Sequence, residues 1–402
     1  MTATDTDPST PAEPLPRNVK ILGAVSLAQD TGSEMLYPLL PSFVTGTLGA
    51  PVVAIGVAEG VADAIASGMK LVAGRFSAGR RRRWIAAGYA IATVGKIVVT
   101  AAMAWPVVIL GRAIDRMGKG IRGVPRDALI ADDTPAAARG RAFGYHRTLD
   151  TIGAVLGPAI GLALLHLLDG QIRVALALAV IPAAISVGLV AFVREPLRPP
   201  IVGPVTGTEP PQEARSKVPG GVWRVLAPLI VFALVNSTDA LLLQHGADVG
   251  LSTTQVVAAY ICFNVVYASL GYPAGKLADQ LPPRVLIAAG LTVFAVVYMG
   301  LGQTATTTAA WILLPLYGAF PALTDGVSRA WISNIAPDDT RSWILGIHGA
   351  ATGLAVLAAG LWSGLTWGEH GELPLTISGI VAAVVALWLA VGLNGEPPVT
   401  ST

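Results

Sequence analysis

The stretch between residues 107 and 130 reads VVILGRAIDRMGKGIRGVPRDALI, an apolar segment interrupted by seven ionisable side chains. It exceeds the roughly 20 residues that an α-helix needs to cross a bilayer. A helix surrounded by lipid could not carry so many charges, because each one is costly in hydrocarbon unless it is paired or hydrated. The stretch therefore predicts a membrane helix that faces other protein segments or a water-filled cavity.

The composition of the whole chain favours a membrane location. Of its 402 residues, 53% are hydrophobic and only 13% are charged, whereas soluble domains usually carry about 25% charged residues. The net charge of +2 gives no reason to expect a nucleic-acid partner. Cys262 is the only cysteine, which excludes an intrachain disulfide and a thiol metal cluster. We predict a multi-pass membrane protein whose partners are membrane lipid and a small molecule or ion, with no cofactor.

Twelve apolar runs are long enough to be membrane spans. In chain order, spans 1 to 12 cover residues 19–44, 52–73, 84–104, 107–130, 149–168, 172–192, 225–244, 254–277, 285–302, 308–334, 343–365 and 374–393. They predict an all-α membrane protein with twelve transmembrane helices in two six-helix bundles. The predicted parts are a disordered cytoplasmic tail (1–17), an N-terminal bundle (18–193), a cytoplasmic linker (194–222), a C-terminal bundle (223–394) and a cytoplasmic tail (395–402).

The charges between the spans predict the orientation of the chain. Basic residues concentrate in the linkers after even-numbered spans, as in the arginine run at residues 80–83, whereas the single basic residue near the linkers after odd-numbered spans is Arg173, at the start of span 6. Positively charged linkers stay on the cytoplasmic side of a membrane. We therefore predict that both termini lie in the cytoplasm.

Two pairs of acidic residues are candidates for carrying protons. Asp30 and Glu34 lie four residues apart in span 1, and Glu59 and Asp63 do so in span 2, so each pair lies on one face of its helix. Two carboxylates this close cannot both ionise cheaply in a medium of low dielectric constant. One carboxyl group of each pair is therefore expected to hold a proton, as a proton-coupling site requires.

Two further groups of ionisable residues inside the spans have predicted roles. The first would line a substrate cavity or its charge network: Arg112, Asp115, Arg116, Lys119, Asp239 and Asp325. The second would belong to a cytoplasmic gate: Arg122, Arg126, Asp127 and Arg329. The spacing also suits local ion pairs from Asp115 to Lys119 and from Asp325 to Arg329. Two structural alternatives stay open, namely that basic residues near span ends extend to lipid headgroups, or that the charges are buried ion pairs holding a bundle together.

Sequence motifs carry a resemblance to a known family. Span 5 contains GAVLGPAIG at residues 153–161, and its small residues and proline allow close helix packing and a bend: Gly153, Gly157, Pro158 and Gly161. This segment resembles the antiporter motif of the major facilitator superfamily. The segment GKLADQLPPR at residues 275–284 resembles the cytoplasmic-loop motif of that superfamily. The resemblance implies gating roles for Asp279 and Arg284, and a place for Arg112 at the arginine of a motif linked to proton coupling.

Two further segments are similar to one bacterial subgroup of this superfamily. They read DTGSEMLYPLLP at residues 30–41 and DRMGKGIRGVPRDALIAD at residues 115–132. Members of that subgroup are usually labelled efflux permeases, which implies a location in the bacterial inner (plasma) membrane. One departure is that Ala78 lies near the position of a family aspartate after span 2. The gate on that side would then rely on other acids, such as Asp127 or Asp150.

Together these features predict a secondary active transporter, a proton-coupled antiporter that exports a small solute by alternating access and acts as a monomer. The mixed charges would suit an amphiphilic, zwitterionic or anionic organic compound better than a bare cation. One alternative is export of a divalent metal ion through the acidic pairs, with His245 joining Asp30 or Asp239. Another, of a different class, is a membrane sensor or scaffold that transports nothing. No nucleophile and base are arranged in the sequence as an enzyme would need.

Overall fold

The computed structural model describes residues 14–77, 80–135, 139–195, 220–278, 280–335 and 341–392. Within these ranges all of the regular secondary structure is helical. The predicted C-terminal tail, nearly all of the predicted N-terminal tail and most of the predicted linker lie outside the described residues, as does Asp279. The domain boundaries given above therefore remain predictions.

The α-helices follow the predicted spans closely. In the first half of the chain they are α1 (Arg17–Leu36), α2 (Val53–Phe76), α3 (Arg81–Ala101), α4 (Trp105–Asp133), α5 (Arg139–Leu167), α6 (Ile172–Leu178) and α7 (Val180–Val190). In the second half they are α8 (Gly220–Ala233), α9 (Asp239–Asp248), α10 (Thr253–Ala278), α11 (Pro283–Gln303), α12 (Thr307–Tyr317), α13 (Ala319–Ile335), α14 (Arg341–Leu365) and α15 (Glu372–Gly392). Spans 6, 7 and 10 are each covered by two helices, namely α6 with α7, α8 with α9, and α12 with α13.

In the described part of the chain, eight helical segments are long and apolar enough to cross a membrane. They are Arg81–Ala101, Ala142–Leu167, Ile172–Val190, Thr253–Gly271, Pro283–Gln303, Thr307–Ser328, Ile347–Leu365 and Glu372–Val391. The predicted spans outside this set contain α1, α2, α4 and the pair of α8 and α9. The first three carry ionisable residues, and α8 and α9 have only 14 and 10 residues, which is too short for one crossing at about 1.5 Å per residue.

The outer end of span 1 changes its helical geometry at two prolines. The sequence YPLLP at residues 37–41 predicts a kink, because proline cannot donate the backbone hydrogen bond that continues an α-helix. In the structure, α1 ends at Leu36, a 3-10 turn covers Tyr37–Leu39 and a π-helical segment covers Ser42–Thr47. The predicted interruption is therefore confirmed.

Span 7, which the hydropathy pattern predicts as continuous, is interrupted over residues 234–238. This segment contains an Asn-Ser-Thr sequence, whose short polar side chains compete with the backbone for hydrogen bonds. Thr238 caps α9 by accepting a hydrogen bond from the Ala240 N–H at 3.3 Å. The Trp362 indole N–H donates to the Leu234 carbonyl oxygen at 2.9 Å. Side chains thus bond the Ala240 N–H and the Leu234 carbonyl oxygen on the two sides of the break, where helical hydrogen bonds are missing.

Glycine residues allow α3 and α4 to pack at backbone distance. A Cβ atom at Gly95 would lie 2.4 Å from the Asp115 amide nitrogen, and one at Gly118 would lie 2.4 Å from the Gly88 carbonyl oxygen. Larger residues at these positions would force the two helices apart. The contact brings α3 directly alongside the ionisable residues of α4.

The two halves of the chain contact each other through α2 with α14 and through α5 with α10. The first contact is especially close at Gly360, where an added Cβ would lie 2.6 Å from the Gly56 carbonyl oxygen. These glycines lie near the start of α2 and the end of α14. We call the end of the molecule that carries residues 80–83 the basic face, so this close contact lies toward the opposite face.

Candidate functional site

A cavity lies between the two halves of the chain. Its entrance chamber, of about 580 Å³, reaches the later turns of α4 and the first turns of α5, near the basic face. Its inner chamber, of about 390 Å³, lies between α1, α2 and α4 on one side and α9, α10 and α13 on the other. Because Glu34, Lys119, Asn264 and Tyr267 line both chambers, the two chambers adjoin.

A buried ion cluster joins α2, α3 and α4. Arg112 donates from Nε and Nη2 to the two carboxylate oxygens of Glu59 at 2.6 and 2.7 Å. Asp115 accepts hydrogen bonds from Lys96 Nζ at 2.6 Å and from Arg112 Nη1 at 3.2 Å. None of these four side chains is more than 8% exposed. Two cations thus face two carboxylates, and the close geometry offsets the cost of removing the charges from water.

Arg116 connects the ion cluster to the cavity. Its Nη2 lies 3.4 Å from Glu59 Oε2, and its Nε lies 3.9 Å from Asp63 Oδ1. The side chain of Asp63 is 46% exposed and lines the inner chamber. The structure therefore separates the predicted pair of Glu59 and Asp63, since arginines hold Glu59 while Asp63 faces the cavity.

Asp115 does not form the local ion pair with Lys119 that their spacing suggests. Its carboxylate oxygens are taken by Lys96 and Arg112. The physical reason is the glycine contact between α3 and α4, which places Lys96 within hydrogen-bonding distance of Asp115. The predicted pair is wrong, and Lys119 is left facing the cavity.

Asp30 and Glu34 face the cavity from α1 with few partners. Both line the entrance chamber. Glu34 accepts a hydrogen bond from the Tyr260 hydroxyl group of α10 at 2.7 Å, which links the two halves of the chain. Asp30 makes no side-chain hydrogen bond or ion pair with any residue that the structure describes. Neither carboxylate is therefore held by a basic side chain at bonding distance.

The glycine motif of α5 lies directly behind these two carboxylates. Gly153, Gly157 and Gly161 all face α1. A Cβ atom at Gly157 would lie 2.7 Å from the Glu34 Cβ, and one at Gly153 would lie 3.1 Å from the Asp30 Cβ. The proline of the motif lies inside α5 without ending it. The small residues thus let α5 support the part of α1 that presents both carboxyl groups to the cavity.

Two cations of α4 face the cavity without an acceptor among the described residues. Arg122 is only 4% exposed, and its guanidinium group lies over the ring of Tyr89 at 4.5 Å from the centroid. Its Nη1 has no hydrogen-bond partner. Lys119 is exposed to both chambers and makes no hydrogen bond or ion pair there. Both side chains are therefore available to a bound anionic group.

Aromatic rings of the second half form the opposite wall of the inner chamber. Tyr260 stacks on Phe263, and Phe263 stacks on Tyr317, with 5.6 Å between ring centroids in each pair. Asp239, the first residue of α9, accepts a hydrogen bond from the Tyr317 hydroxyl group at 3.0 Å. Tyr37 of the first half completes the wall at 5.6 Å from the Tyr260 ring. The wall combines flat apolar surfaces with a carboxylate.

A second contact between the halves lies closer to the basic face. Arg147 of α5 donates to the Tyr267 hydroxyl group of α10 at 2.7 Å. The same hydroxyl group donates to Asp325 of α13 at 3.4 Å. This chain of hydrogen bonds joins three helices at the boundary of the two chambers, and it gives Asp325 a place in the cavity wall.

Only some of the predicted gate residues lie near this contact. Arg126 forms an ion pair with its neighbour Asp127 at 2.9 Å, and both line the entrance chamber. Arg284 lies at the start of α11. The side chain of Arg329 and the whole of Asp279 lie outside the described residues, so the pairs predicted for them stay predictions.

Several contacts of the site were not predicted from the sequence. Lys96 is a candidate because it is an ionisable residue inside an apolar span, but its pairing with Asp115 was not predicted. Tyr260 and Tyr267 lie seven residues apart, with Phe263 between them, so an aromatic stripe on one face of span 8 could have been recognised. Arg147 gave no such signal, because its partner is Tyr267, 120 residues away.

His245, which was considered as a metal ligand together with Asp30 or Asp239, contacts a backbone carbonyl group instead. The Nδ1 atom of His245 lies 2.6 Å from the His370 carbonyl oxygen. Across the described ranges, no group of three or more His, Cys, Asp or Glu side chains is arranged to hold a metal ion. A site that joins His245 to Asp30 or Asp239 is therefore not formed by the described residues.

The family model described as Major Facilitator Superfamily matches residues 22–315, which is more than half of the chain. The chain belongs to the major facilitator superfamily. It is accordingly a multi-pass membrane protein and a secondary transporter, from a family of transporters rather than of enzymes. The superfamily that the sequence motifs suggested is thus confirmed, whereas the efflux subgroup remains a prediction.

Known proteins of the superfamily resemble the chain over nearly its whole length. An uncharacterized MFS-type transporter of Methanocaldococcus jannaschii is 27% identical over 381 residues, which cover 93% of this chain and 94% of the relative. The crystal structure of a D-xylose–proton symporter matches with a TM-score of 0.71 at 19% identity, covering 92% of this chain and 95% of that one. A POT family transporter in complex with 5-aminolevulinic acid matches with a TM-score of 0.76 at 12% identity, covering 94% and 96%. At such identities the two structures indicate a shared fold only.

Proposed function

We propose that this member of the major facilitator superfamily is a proton-coupled antiporter that exports a small solute by alternating access. The observation that carries the proposal is the environment of Asp30 and Glu34. Both carboxyl groups face the cavity, where no basic side chain among the described residues lies at bonding distance, and Glu34 is bonded to the opposite half of the chain through Tyr260. A proton that binds there changes both the charge of the cavity and a contact between the halves.

Exchange follows when a proton and the solute compete for the same groups. Glu34 and Asp239 each accept one hydrogen bond from a tyrosine hydroxyl group, which leaves further acceptor sites on each carboxylate. A positively charged group of the solute and a proton both bind a free carboxylate, so occupation by one disfavours the other. Glu59 is less suited to this role because Arg112 already occupies both of its oxygens.

The architecture that we propose is two six-helix bundles, formed by residues 18–193 and 223–394, with both termini in the cytoplasm. The basic face would then be the cytoplasmic side, as the distribution of arginine in the linkers predicts. The entrance chamber lies near that face, whereas the close contact of Gly56 with Gly360 lies toward the other. With that orientation, the arrangement would correspond to a state that is open to the cytoplasm, and the alternating cycle would close the basic face and open the other.

The test is solute-driven proton flux in liposomes that contain the purified protein and an internal pH dye. A proton gradient is imposed, pooled drugs, siderophores and divalent metal salts are added, and the wild type is compared with Asp30→Asn, Glu34→Gln and Asp63→Asn. We expect solute-dependent proton flux in the wild type and none above empty liposomes in Asp30→Asn and Glu34→Gln. Lys20→Met, a change on an exposed part of α1, is the matched control and should retain the flux.

The direction of flux decides between antiport and its alternatives. Protons and solute that move in opposite directions support antiport, and movement in the same direction would replace it with symport. Solute movement that ignores both the gradient and the carboxyl variants would contradict the proton-carrying role of Asp30 and Glu34. Flux that requires a divalent metal salt would establish the metal exporter instead.

A further inference from the structure

The two chambers present opposite charges to a bound molecule. In the entrance chamber, Lys119 and Arg122 make no hydrogen bond or ion pair with the described residues. In the inner chamber, Asp239 lies at the aromatic wall, and among the described residues its carboxylate accepts a hydrogen bond from Tyr317 alone. Since Lys119 also lines the inner chamber beside Asp239, one molecule can contact a residue of each group. We call the first group the positive pole and the second the negative pole of the cavity.

The positive pole has the features of an anion site that lacks its anion. A buried arginine normally donates to acceptors, because a buried donor without a partner carries its full cost of desolvation. The ring of Tyr89 covers one face of the Arg122 guanidinium, so the edge that carries its N–H groups remains available to a planar anion such as a carboxylate. Lys119 is in reach of the same chamber. The wall of this chamber carries five basic residues, namely Lys70, Lys119, Arg122, Arg126 and Arg147, and four acidic ones, namely Asp30, Glu34, Asp127 and Asp150, so positive charge exceeds negative charge by one.

The negative pole has the features of an ammonium site. A carboxylate has about four acceptor positions, and Tyr317 occupies one position on Asp239. The stacked rings of Tyr260, Phe263 and Tyr317 line the same chamber. Aromatic rings attract cations to their faces, and they also cover the apolar body of an organic molecule. An organic ammonium group therefore finds both a counter-ion and a suitable surface at this pole.

We infer that the substrate is a zwitterionic organic molecule, whose anionic group binds Lys119 and Arg122 while its ammonium group binds Asp239 against the aromatic wall. A molecule with only one charge would leave one pole without a partner. This inference rests on the proposed function for the statement that the bound molecule is transported. The binding itself requires no proton gradient, so the two can be tested separately.

The test measures equilibrium binding to the purified full chain in lipid nanodiscs, by isothermal titration calorimetry without a gradient. Three probes share one benzene ring and differ only in charge. They are para-aminomethylbenzoate, which is a zwitterion, para-methylbenzylamine, which is a cation, and para-methylbenzoate, which is an anion. The variants are Lys119→Met and Arg122→Met at the positive pole and Asp239→Asn at the negative pole. Lys20→Met and Glu369→Gln, at exposed positions, serve as matched controls.

We expect the zwitterion to bind at least about tenfold more tightly than either singly charged probe, because it adds a charge-assisted contact. Lys119→Met and Arg122→Met should lower the binding affinity for the zwitterion and for the benzoate by about tenfold or more, and they should leave the affinity for the amine unchanged. Asp239→Asn should lower the binding affinity for the zwitterion and for the amine, and it should leave the affinity for the benzoate unchanged. This reciprocal pattern cannot arise from general damage to the fold, which would weaken all three probes together.

The inference is overturned if the zwitterion binds no better than the singly charged probes, if no probe binds at millimolar concentration, or if each variant weakens all probes equally. Because Arg122 is buried, Lys119→Met keeps the test decisive if Arg122→Met fails to fold. If the variants show the reciprocal binding pattern but the wild type shows no solute-dependent proton flux, the proposed antiport is contradicted and the zwitterion site is still supported. If the amine drives as much proton flux as the zwitterion does, the result supports the antiport and contradicts the zwitterion site.

Discussion

Two sets of charged side chains inside the spans of the first half differ in how their charges are satisfied. The ion cluster consists of Glu59, Lys96, Arg112 and Asp115, in which every side chain has an oppositely charged partner. A second group, the cavity set, consists of Asp30, Glu34, Lys119 and Arg122. Within the described residues the cavity set makes one side-chain hydrogen bond, from Tyr260 to Glu34. The difference indicates that the same residue types hold helices together in one place and remain available for binding in the other.

This comparison can be tested by the effect of each set on the free energy of unfolding. Arg112→Leu should have the largest effect, because it leaves Glu59 and part of Asp115 buried without a counter-charge. Breaking a buried ion pair on one side costs about 3–5 kcal/mol. The measurement is reversible unfolding in mixed micelles. The double variant Arg112→Leu with Glu59→Leu should recover part of the loss, and an unchanged stability in Arg112→Leu alone would show that the ion cluster is not structural.

The glycine contact behind the cavity set should have the next largest effect. Gly157→Ala places a Cβ 2.6 Å from the Thr31 carbonyl oxygen, so α1 and α5 have to separate, at a cost of about 1–3 kcal/mol. Gly144→Ala in the same helix is the matched control, because nothing lies within 4 Å of its added Cβ. It should be neutral or stabilise the protein by up to about 1 kcal/mol. Equal effects of both changes in the same unfolding assay would contradict the proposed support of α1.

Tyr260→Phe should have a smaller effect, and mainly on the balance between conformations. The ring stays in the aromatic wall, but the hydrogen bond to Glu34 that links the halves is lost. A hydrogen bond to a charged group contributes about 1.5 kcal/mol or more, so the population open toward the face opposite the basic face should rise about tenfold. The measurement is the distance between spin labels on Thr47 and Ser252, both exposed at that face, in a Cys262→Ser background. An unchanged distance distribution would exclude the link as a restraint.

Lys119→Met should have the smallest effect on stability. This side chain has no partner among the described residues to lose, so we expect a change within about 0.5 kcal/mol in the mixed-micelle assay. Lys96→Met is the matched comparison, because it removes the counter-ion of Asp115 at 2.6 Å. Equal destabilisation by the two changes would remove the distinction between the ion cluster and the cavity set.

The spans could be predicted from the sequence because the length of an apolar run is a local property. Each predicted span contains α-helix, and the prolines of residues 37–41 mark the interruption of span 1. The break over residues 234–238 was missed, since hydropathy averages over the polar Asn-Ser-Thr sequence. Its signal was present in the N-cap chemistry of Thr238, which precedes Asp239 in the first turn of α9.

The candidate site could be predicted only as a set of residues and not as a set of contacts. Ionisable residues inside a span have to face protein or water, which identified Asp30, Glu34 and Lys119 as cavity residues. Their partners depend on how distant helices pack. Tyr260 is 226 residues from Glu34, and a glycine contact decides that Asp115 pairs with Lys96. Such pairings follow from tertiary structure, which spacing along one helix does not reveal.

The break in span 7 separates α9 from α8, and the two helices have different contacts. The short helix α9 is joined to the first half by hydrogen bonds from Thr45 to Gln244 at 3.1 Å and between the hydroxyl groups of Tyr37 and Thr238 at 3.3 Å. The helix α8, on the other side of the break, contacts α14 and α15 of its own half. Since α9 is also bonded to its own half, through Asp239 to Tyr317 and through His245 to the His370 carbonyl oxygen, we expect the break to let α9 tilt relative to α8 while it keeps contacts with both halves. The transport cycle would then pass through an occluded intermediate, in which the solute is sealed from both faces before either one opens.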